Sequence, residues 1–216
     1  MFDLVVFDLD GTLVDSRADL AQSANAVLAA CGCAPLAEDA IGRMVGDGAA
    51  TLVTRAFVAS GCPQPADALA QFLSIYNGRL LANTRAYDGV APLLETLSRS
   101  IVLAVLTNKP LGPTLEILEG LDLARHFRRE LIVGGDGPFP RKPDPSGLHD
   151  LAQRAGTEAG RTLMVGDSII DWRTARRAGA QICMARYGFG FHDFPIDELD
   201  EADWVVDSPS QLLSRL

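Results

Sequence analysis

Near its start the chain runs from an apolar segment, Leu4-Val5-Val6-Phe7, directly into Asp8-Leu9-Asp10-Gly11-Thr12-Leu13. A short apolar run bounded by turn residues predicts a buried strand. Side chains of a strand alternate between its two faces, but the turn at Gly11-Thr12 lets Asp8 and Asp10 face one crevice. An acidic turn that merely closes a strand is the alternative, and two aspartates at this spacing favour a functional site.

Five more apolar runs follow and predict strands at residues 101–106, 131–133, 162–165, 182–185 and 204–206. Stretches of helical composition lie at 114–119, 146–155 and 171–178, followed by Gly120, Gly156 and Gly179, which suit left-handed helix ends. Alternating strands and helices predict an α/β fold built on a parallel sheet.

Residues 16–85 interrupt this alternation, since they are rich in Ala and Leu with helical periodicity and contain no convincing strand. We predict a helical cap domain at 16–85, inserted after the first strand into a catalytic core formed by 1–15 and 86–216. The insertion leaves and rejoins the core at the carboxyl edge of the sheet, where open α/β sheets bind ligands. The cap should therefore cover the site.

The composition excludes several classes of protein. The 216 residues carry a net charge of -9, which disfavours binding to nucleic acid or to an anionic membrane. The apolar runs are far shorter than a membrane span, and the first residues lack the basic region of a signal peptide. We expect a cytoplasmic monomer or homodimer. Its four cysteines should be free thiols, because they lack paired spacing and an export signal.

The two aspartates suit two different tasks. A carboxylate that attacks phosphorus must stay ionised, whereas a second one must give a proton to the leaving oxygen and later take one from water. We predict Asp8 as the nucleophile and Asp10 as the general acid and base, with Mg²⁺ keeping Asp8 ionised. The spacing alone does not prove this division.

Two later segments carry candidate groups for binding phosphate. Thr107-Asn108-Lys109 follows a predicted strand and precedes a helix start, where a hydroxyl and backbone N–H groups can bind an anion, although simple helix capping is an alternative. Of 19 Lys and Arg residues only Lys109 and Lys142 are lysines. A compact ammonium suits a site shared by Asp8 and a phosphoryl group, which we assign to Lys142, while Lys109 could cap a helix or face solvent.

A further pair of acids follows the strand predicted at 162–165. Asp167 lies at the strand end and Asp171 four residues later, near a helix start. Magnesium prefers oxygen ligands and retains several waters, so Asp8, the backbone carbonyl of Asp10, and Asp167 would suffice to hold it. We expect Asp171 to support those ligands or the first helical turn rather than to bind the metal directly.

Taken in order, these segments resemble the four motifs of the haloacid dehalogenase superfamily of phosphatases, with matches at Asp8, Asp10, Thr107, Lys142, Asp167 and Asp171. The resemblance implies a Rossmann-like core with a helical cap after the first motif. Dehalogenases of the superfamily lack the second aspartate, so Asp10 indicates phosphoryl chemistry. A phosphatase forming an aspartyl-phosphate and a phosphomutase of the β-phosphoglucomutase kind are both compatible with it.

Four other segments, 45–49, 108–110, 133–136 and 187–190, resemble the phosphoglycolate phosphatase group. This resemblance implies that the chain acts on a small phosphorylated metabolite, with 2-phosphoglycolate as the first expectation and pyrophosphate and sugar phosphates as alternatives. In the cap, Arg43 could offer a cation to a substrate carboxylate, although a plain turn with a solvated arginine is an equal alternative. We predict substrate contacts by Thr107, Asn108, Lys142 and Arg43.

Overall fold

A computed structural model describes residues 2–216. Its fold is built around a six-stranded parallel sheet. The strands in chain order are β1 (Leu4–Phe7), β2 (Val14–Asp15), β3 (Arg85–Ala86), β4 (Val102–Leu106), β5 (Ile132–Val133), β6 (Thr162–Gly166), β7 (Gln181–Ala185) and β8 (Trp204–Val206). The sheet has the order β5-β4-β1-β6-β7-β8, and every neighbouring pair is parallel. The six predicted strands are confirmed with ends that differ by at most one residue, and so is the α/β class.

Helices connect the strands. They are α1 (Arg17–Ala30), α2 (Glu38–Gly42), α3 (Ala49–Ser60), α4 (Ala68–Asn77), α5 (Val90–Leu97), α6 (Leu111–Gly120), α7 (Ser146–Ala155), α8 (Ile169–Ala178) and α9 (Pro209–Leu213). Short 3-10 turns lie at Ala124–His126, Arg129–Leu131, Ala159–Arg161, Phe189–Asp193 and Ile196–Glu198. The predicted helix at 146–155 has the predicted bounds, and the other two are longer than predicted.

Strand β1 is completely buried because its two faces pack against different apolar clusters. Leu4 and Val6 belong to one cluster, and Val5 and Phe7 belong to the other. Its neighbours are β4 on one side and β6 on the other. The carboxyl ends of β4, β1 and β6 therefore lie side by side, which brings the residues that follow each strand to one edge.

Residues 16–85 contain α1 to α4, and the short antiparallel pair β2 and β3 brackets them. These strands have two residues each, too few for a periodic signal, and the sequence prediction had no strand there. Asp19 in α1 reinforces the junction, since its buried carboxylate accepts hydrogen bonds from the backbone N–H groups of Asn83 and Thr84, both at 2.8 Å. The exact domain boundaries stay a prediction.

One predicted helix end is wrong. Gly156 and Gly179 have φ values of 76° and 73° and end their helices in the left-handed conformation, as predicted. Gly120 instead is the last residue of α6 and is not left-handed. An added Cβ there would meet the end of the Leu81 side chain, so Gly120 allows Leu81 to pack closely against α6.

The prediction of four free cysteines is also wrong. Cys33 and Cys62, in the loops after α1 and α3, form a disulfide with Cα atoms 6.3 Å apart. The two residues are 29 positions apart and only the packing of the helices brings them together. Cys31 and Cys183 are free thiols, the first exposed and the second buried. Within residues 2–216 no helix has the length and apolar character needed to cross a membrane.

Candidate active site

Asp8 emerges from the central strand into a buried network of opposite charges. Its backbone N–H still bonds to the carbonyl of Val165 in β6, at 2.9 Å, which fixes where the side chain begins. Lys142 Nζ donates to Asp8 Oδ1 at 2.7 Å and to Asp171 Oδ1 at 2.6 Å. All three side chains are at most 10% exposed. Lys142 therefore joins two acids that the sequence separates widely.

Asp171 has two structural tasks at once. Besides Lys142, it accepts hydrogen bonds from the backbone N–H and hydroxyl of Ser168, at 3.1 and 2.6 Å, in a capping box at the start of α8. Both of its carboxylate oxygens are thus engaged. These contacts tie Asp171 to Lys142 and to the first turn of α8, and its part in binding a metal stays a prediction.

A cluster of three carboxylates lies at the centre of the site. Oxygens of Asp8, Asp167 and Asp171 all lie within 4.8 Å of one another, and all three residues are buried. Three ionised carboxylates and the Lys142 ammonium leave two negative charges uncompensated, a deficit that one divalent cation would match. The oxygen-only donor set is also the kind that Mg²⁺ prefers. These residues therefore fit a divalent metal.

The pKa values of the cluster reflect its burial first and the charges of the neighbouring acids second. Burial raises the pKa of Asp8 to about 6, although Lys142 opposes the shift. Burial, together with the charges of Asp171 and Asp8, raises the pKa of Asp167 well above its usual value. A backbone N–H from Gly190 stabilises Asp167 Oδ2 at 2.7 Å but does not cancel the effect. A bound cation would favour the ionised forms.

Asp10 lies apart from that cluster and has its own partners. Ser16 Oγ donates to Asp10 Oδ1 at 2.6 Å, and Lys109 Nζ lies 2.9 Å from Asp10 Oδ2. Lys109 Nζ also donates to the hydroxyl of Tyr76 in α4, at 2.7 Å. Although burial alone would lower the pKa of Lys109, the charge of Asp10 raises it. The two aspartates thus occupy different environments, and the division of tasks between them stays a prediction.

Thr107 and Asn108 lie at the end of β4 and contact the same cavity, but their polar groups are largely engaged. Thr107 N–H bonds to the carbonyl of Val133, and Thr107 Oγ1 accepts from Lys109 N–H at 3.2 Å. Asn108 Nδ2 donates to the carbonyls of Gly46 and Lys142, at 2.8 and 3.0 Å. Asn108 thereby links the cap loop to the stem of Lys142, and its role in binding substrate stays a prediction.

The helix start after these residues is less open than the sequence suggests. The first N–H of α6, from Leu111, already donates to Asp136 Oδ1 at 2.7 Å. Asp136 therefore satisfies a group that we expected to bind an anion. The Thr107 hydroxyl retains its own O–H as a possible donor to a phosphoryl oxygen.

A cavity of about 60 Å³ lies between this edge of the sheet and the helices of 16–85. The residues on its core side are Asp8, Asp10, Thr107, Asn108, Lys109, Pro110, Pro113, Asp167, Ser168, Phe189 and Gly190, and those from 16–85 are Leu20, Val45, Gly46, Gly48, Ala49, Leu52, Phe72, Leu73, Tyr76 and Asn77. Arg43 is exposed and is not among these residues, so the structure does not bring it to the site.

Three contributors to the site escaped the sequence reasoning. Tyr76 is one aromatic residue in an ordinary amphipathic helix, and Ser16 is one hydroxyl six residues after Asp10, so neither carries a signal of its own. Gly188 is packed so closely that an added Cβ would collide with the carbonyl oxygen of Gly11 and with Asp167. In the sequence, Gly188 carries no signal beyond the resemblance at 187–190.

Comparison with known proteins identifies the family. The chain matches the haloacid dehalogenase-like hydrolase family over residues 5–185. The chain belongs to that family. A phosphoglycolate phosphatase of Rhodospirillum rubrum is 46% identical over 194 residues, covering 86% of this chain and 80% of the relative. One from Agrobacterium fabrum is 38% identical over 218 residues, covering 99% and 91%.

A solved structure gives the same result for the fold. The crystal structure of a predicted phosphoglycolate phosphatase from Haemophilus somnus superposes with a TM-score of 0.90 at 31% identity, covering 99% of this chain and 97% of that one. The resemblance predicted from the four motifs is therefore confirmed, and the chain is a hydrolase similar to phosphoglycolate phosphatases.

Proposed function

We propose that this protein hydrolyses 2-phosphoglycolate in a Mg²⁺-dependent reaction that passes through a phosphorylated Asp8. The observation that carries the chemistry is the pairing of Asp8 Oδ1 with Lys142 inside an acid cluster that lacks two positive charges. The relatives that share 46% and 38% of their residues with this chain support the choice of substrate.

In the first half of the reaction, the free oxygen of Asp8 attacks phosphorus and forms an acyl-phosphate as the bond to the leaving oxygen breaks. Lys142 holds the other oxygen of Asp8 and offers its charge to the phosphoryl group. Asp10 gives a proton to the leaving oxygen, which departs as the hydroxyl of glycolate.

In the second half, Asp10 takes a proton from a water molecule that attacks the same phosphorus atom, and the bond to Asp8 breaks to release phosphate. Ser16 and Lys109 hold the Asp10 carboxylate in one orientation for both transfers. A magnesium ion held by Asp8, Asp167 and the backbone carbonyl of Asp10 would supply positive charge to the phosphoryl oxygens and so reduce repulsion between two anions.

The direct test is phosphate release from 2-phosphoglycolate, with Mg²⁺ and with EDTA, by the unaltered protein and by Asp8→Asn. We expect Asp8→Asn and EDTA each to abolish turnover, and rapid quenching of the unaltered enzyme to yield a phosphorylated peptide that contains Asp8. Asp122→Asn is the matched control, because Asp122 is exposed beyond α6 and Asn tolerates its left-handed φ of 57°.

Two results would overturn the proposal. Equal turnover by Asp8→Asn and the unaltered protein would exclude the covalent route. A higher kcat/KM for pyrophosphate or a sugar phosphate than for 2-phosphoglycolate would exclude the substrate, and conversion of a sugar phosphate to its isomer without stoichiometric phosphate release would identify a phosphomutase.

A further inference from the structure

The charges that line the cavity are distributed unevenly. Among the described residues that line it, three are acids (Asp8, Asp10 and Asp167) and Lys109 is the one basic side chain. The wall supplied by 16–85 is mostly apolar, with Leu52, Phe72 and Leu73 as examples. Lys109 is therefore the cationic side chain that an anionic leaving group would meet on this wall of the cavity.

Lys109 is presented to the cavity by a fixed set of contacts. Its side chain is 5% exposed, and its three N–H groups meet two described acceptors, Asp10 Oδ2 at 2.9 Å and the Tyr76 hydroxyl at 2.7 Å. The third N–H is available to another acceptor. Lys109 therefore combines a buried charge with a free donor.

Tyr76 adds a second donor beside it. Burial raises the pKa of Tyr76 to about 12, so its hydroxyl keeps its proton at neutral pH. Because that oxygen accepts from Lys109, its own O–H is left to donate. Stacking against Phe72, with ring centroids 5.7 Å apart, and the packing of α4 hold the phenol in place.

We propose that Lys109 and Tyr76 together bind the carboxylate of the leaving group and so select phosphorylated 2-hydroxy acids over phosphomonoesters whose leaving group carries no charge. The inference rests on the proposed function and deepens it. In such a substrate the carboxyl carbon lies two bonds from the ester oxygen that Asp10 protonates. Because Lys109 contacts Asp10 directly, it is within reach of a carboxylate on a short leaving group. A charge farther along a longer leaving group would lie beyond it.

This assignment replaces Arg43 as the cation for the substrate carboxylate. A merely structural Lys109 would support Asp10 equally for every substrate, since each ester needs the same proton. A carboxylate-binding Lys109 affects only substrates that carry the carboxylate. The ratio of kcat/KM values for two matched substrates separates these roles, because losses shared by both substrates cancel.

The test compares 2-phosphoglycolate with 2-hydroxyethyl phosphate, which has the same length and no carboxylate, in Lys109→Met and Tyr76→Phe. We expect the preference for 2-phosphoglycolate to fall roughly 10- to 100-fold in Lys109→Met and in Tyr76→Phe, as loss of a hydrogen bond to a charged group predicts. The loss should appear mainly in KM. Tyr76→Phe leaves all charges in place, which keeps the test valid if Lys109→Met folds poorly.

Tyr87→Phe is the matched control, because the Tyr87 hydroxyl is buried, has no hydrogen-bond partner among the described residues and does not line the cavity. It should leave the preference unchanged. An unchanged preference in Tyr76→Phe and in any folded Lys109→Met would overturn the inference while the proposed function stands. If the unaltered enzyme itself does not prefer 2-phosphoglycolate, the proposed function fails, and this inference fails with it.

Discussion

In the absence of a divalent cation, the free energy of unfolding of this protein should fall as the pH rises from about 4 to about 6. The pKa of Asp8 is about 6 in the folded protein, against 3.8 for an ordinary aspartate. Between these values the unfolded chain has released a proton that the folded protein still holds, so rising pH favours unfolding. A shift of roughly two units corresponds to about 3 kcal/mol of lost stability at neutral pH.

The raised pKa of Asp167 acts in the same direction, so the loss contributed by the whole cluster should exceed that of Asp8 alone. Magnesium should remove most of this dependence, because a divalent cation matches the two charges that Lys142 leaves uncompensated. The pKa of Asp3 is lowered from 3.8 to about 2. The stability that its ionised form contributes is therefore lost as the pH falls from 3.8 to about 2. It therefore does not contribute between about pH 4 and pH 6.

The assay is urea unfolding followed by circular dichroism at several pH values, in EDTA and in excess Mg²⁺, for the unaltered protein, Asp8→Asn and the exposed control Glu116→Gln. Without metal, Asp8→Asn should become more stable than the unaltered protein by about 3 kcal/mol as the pH rises through the window. Glu116→Gln should follow the unaltered protein.

Either of two results would refute the reasoning. A constant difference between Asp8→Asn and the unaltered protein across this pH range in EDTA would mean that burial does not disfavour the ionised Asp8. The same pH dependence in EDTA and in Mg²⁺ would mean that no cation compensates the cluster.

Three other substitutions give separate checks. Lys142→Met should abolish turnover and destabilise the metal-free protein by about 3–5 kcal/mol in urea unfolding, since it leaves two buried carboxylates without their cation. Gly188→Ala should cost about 1–3 kcal/mol and lower turnover, because the added methyl meets backbone, whereas Gly160→Ala, which has open space, should change little. Cys33→Ser should lower the free energy of unfolding in non-reducing buffer by about 3–4 kcal/mol, as expected for a loop closed over 29 residues, whereas Cys31→Ser should match the unaltered protein. A Cys33→Ser effect that persists in dithiothreitol would refute the disulfide explanation.

Much of the fold could be predicted from sequence because its signals are local. Each strand of the parallel sheet is a short apolar run, and β1 is apolar throughout because both faces are buried. The strands β2 and β3 were missed because two-residue pairings depend on the approach of distant segments. The Cys33–Cys62 bond was missed for the same reason, since no spacing rule marks it.

The acids of the candidate site were also accessible from sequence. Asp8 and Asp167 directly follow neighbouring strands, and parallel strands deliver such residues to one edge whatever the rest of the chain does. Lys142 could be singled out because the chain uses lysine at only two positions. Its simultaneous contact with Asp8 and Asp171 follows from tertiary packing and has no signature in the sequence.

The same distinction, between groups placed by strand ends and groups placed by tertiary packing, separates the residues proposed for the reaction from those proposed for substrate choice. The residues that we propose to attack phosphorus and to hold a metal, Asp8 and Asp167, follow strand ends, so their places should change little as long as the sheet forms. The residues that we propose to bind the leaving group come from two elements that pack across the cavity, since Tyr76 of α4 contacts Lys109 after β4. Since a small rotation of α4 would break that contact and leave the acid cluster intact, substrate preference should change more readily among relatives than the phosphoryl chemistry does. Substitutions at position 76 should therefore alter the ratio of kcat/KM values between substrates before they alter dependence on Asp8 or on Mg²⁺.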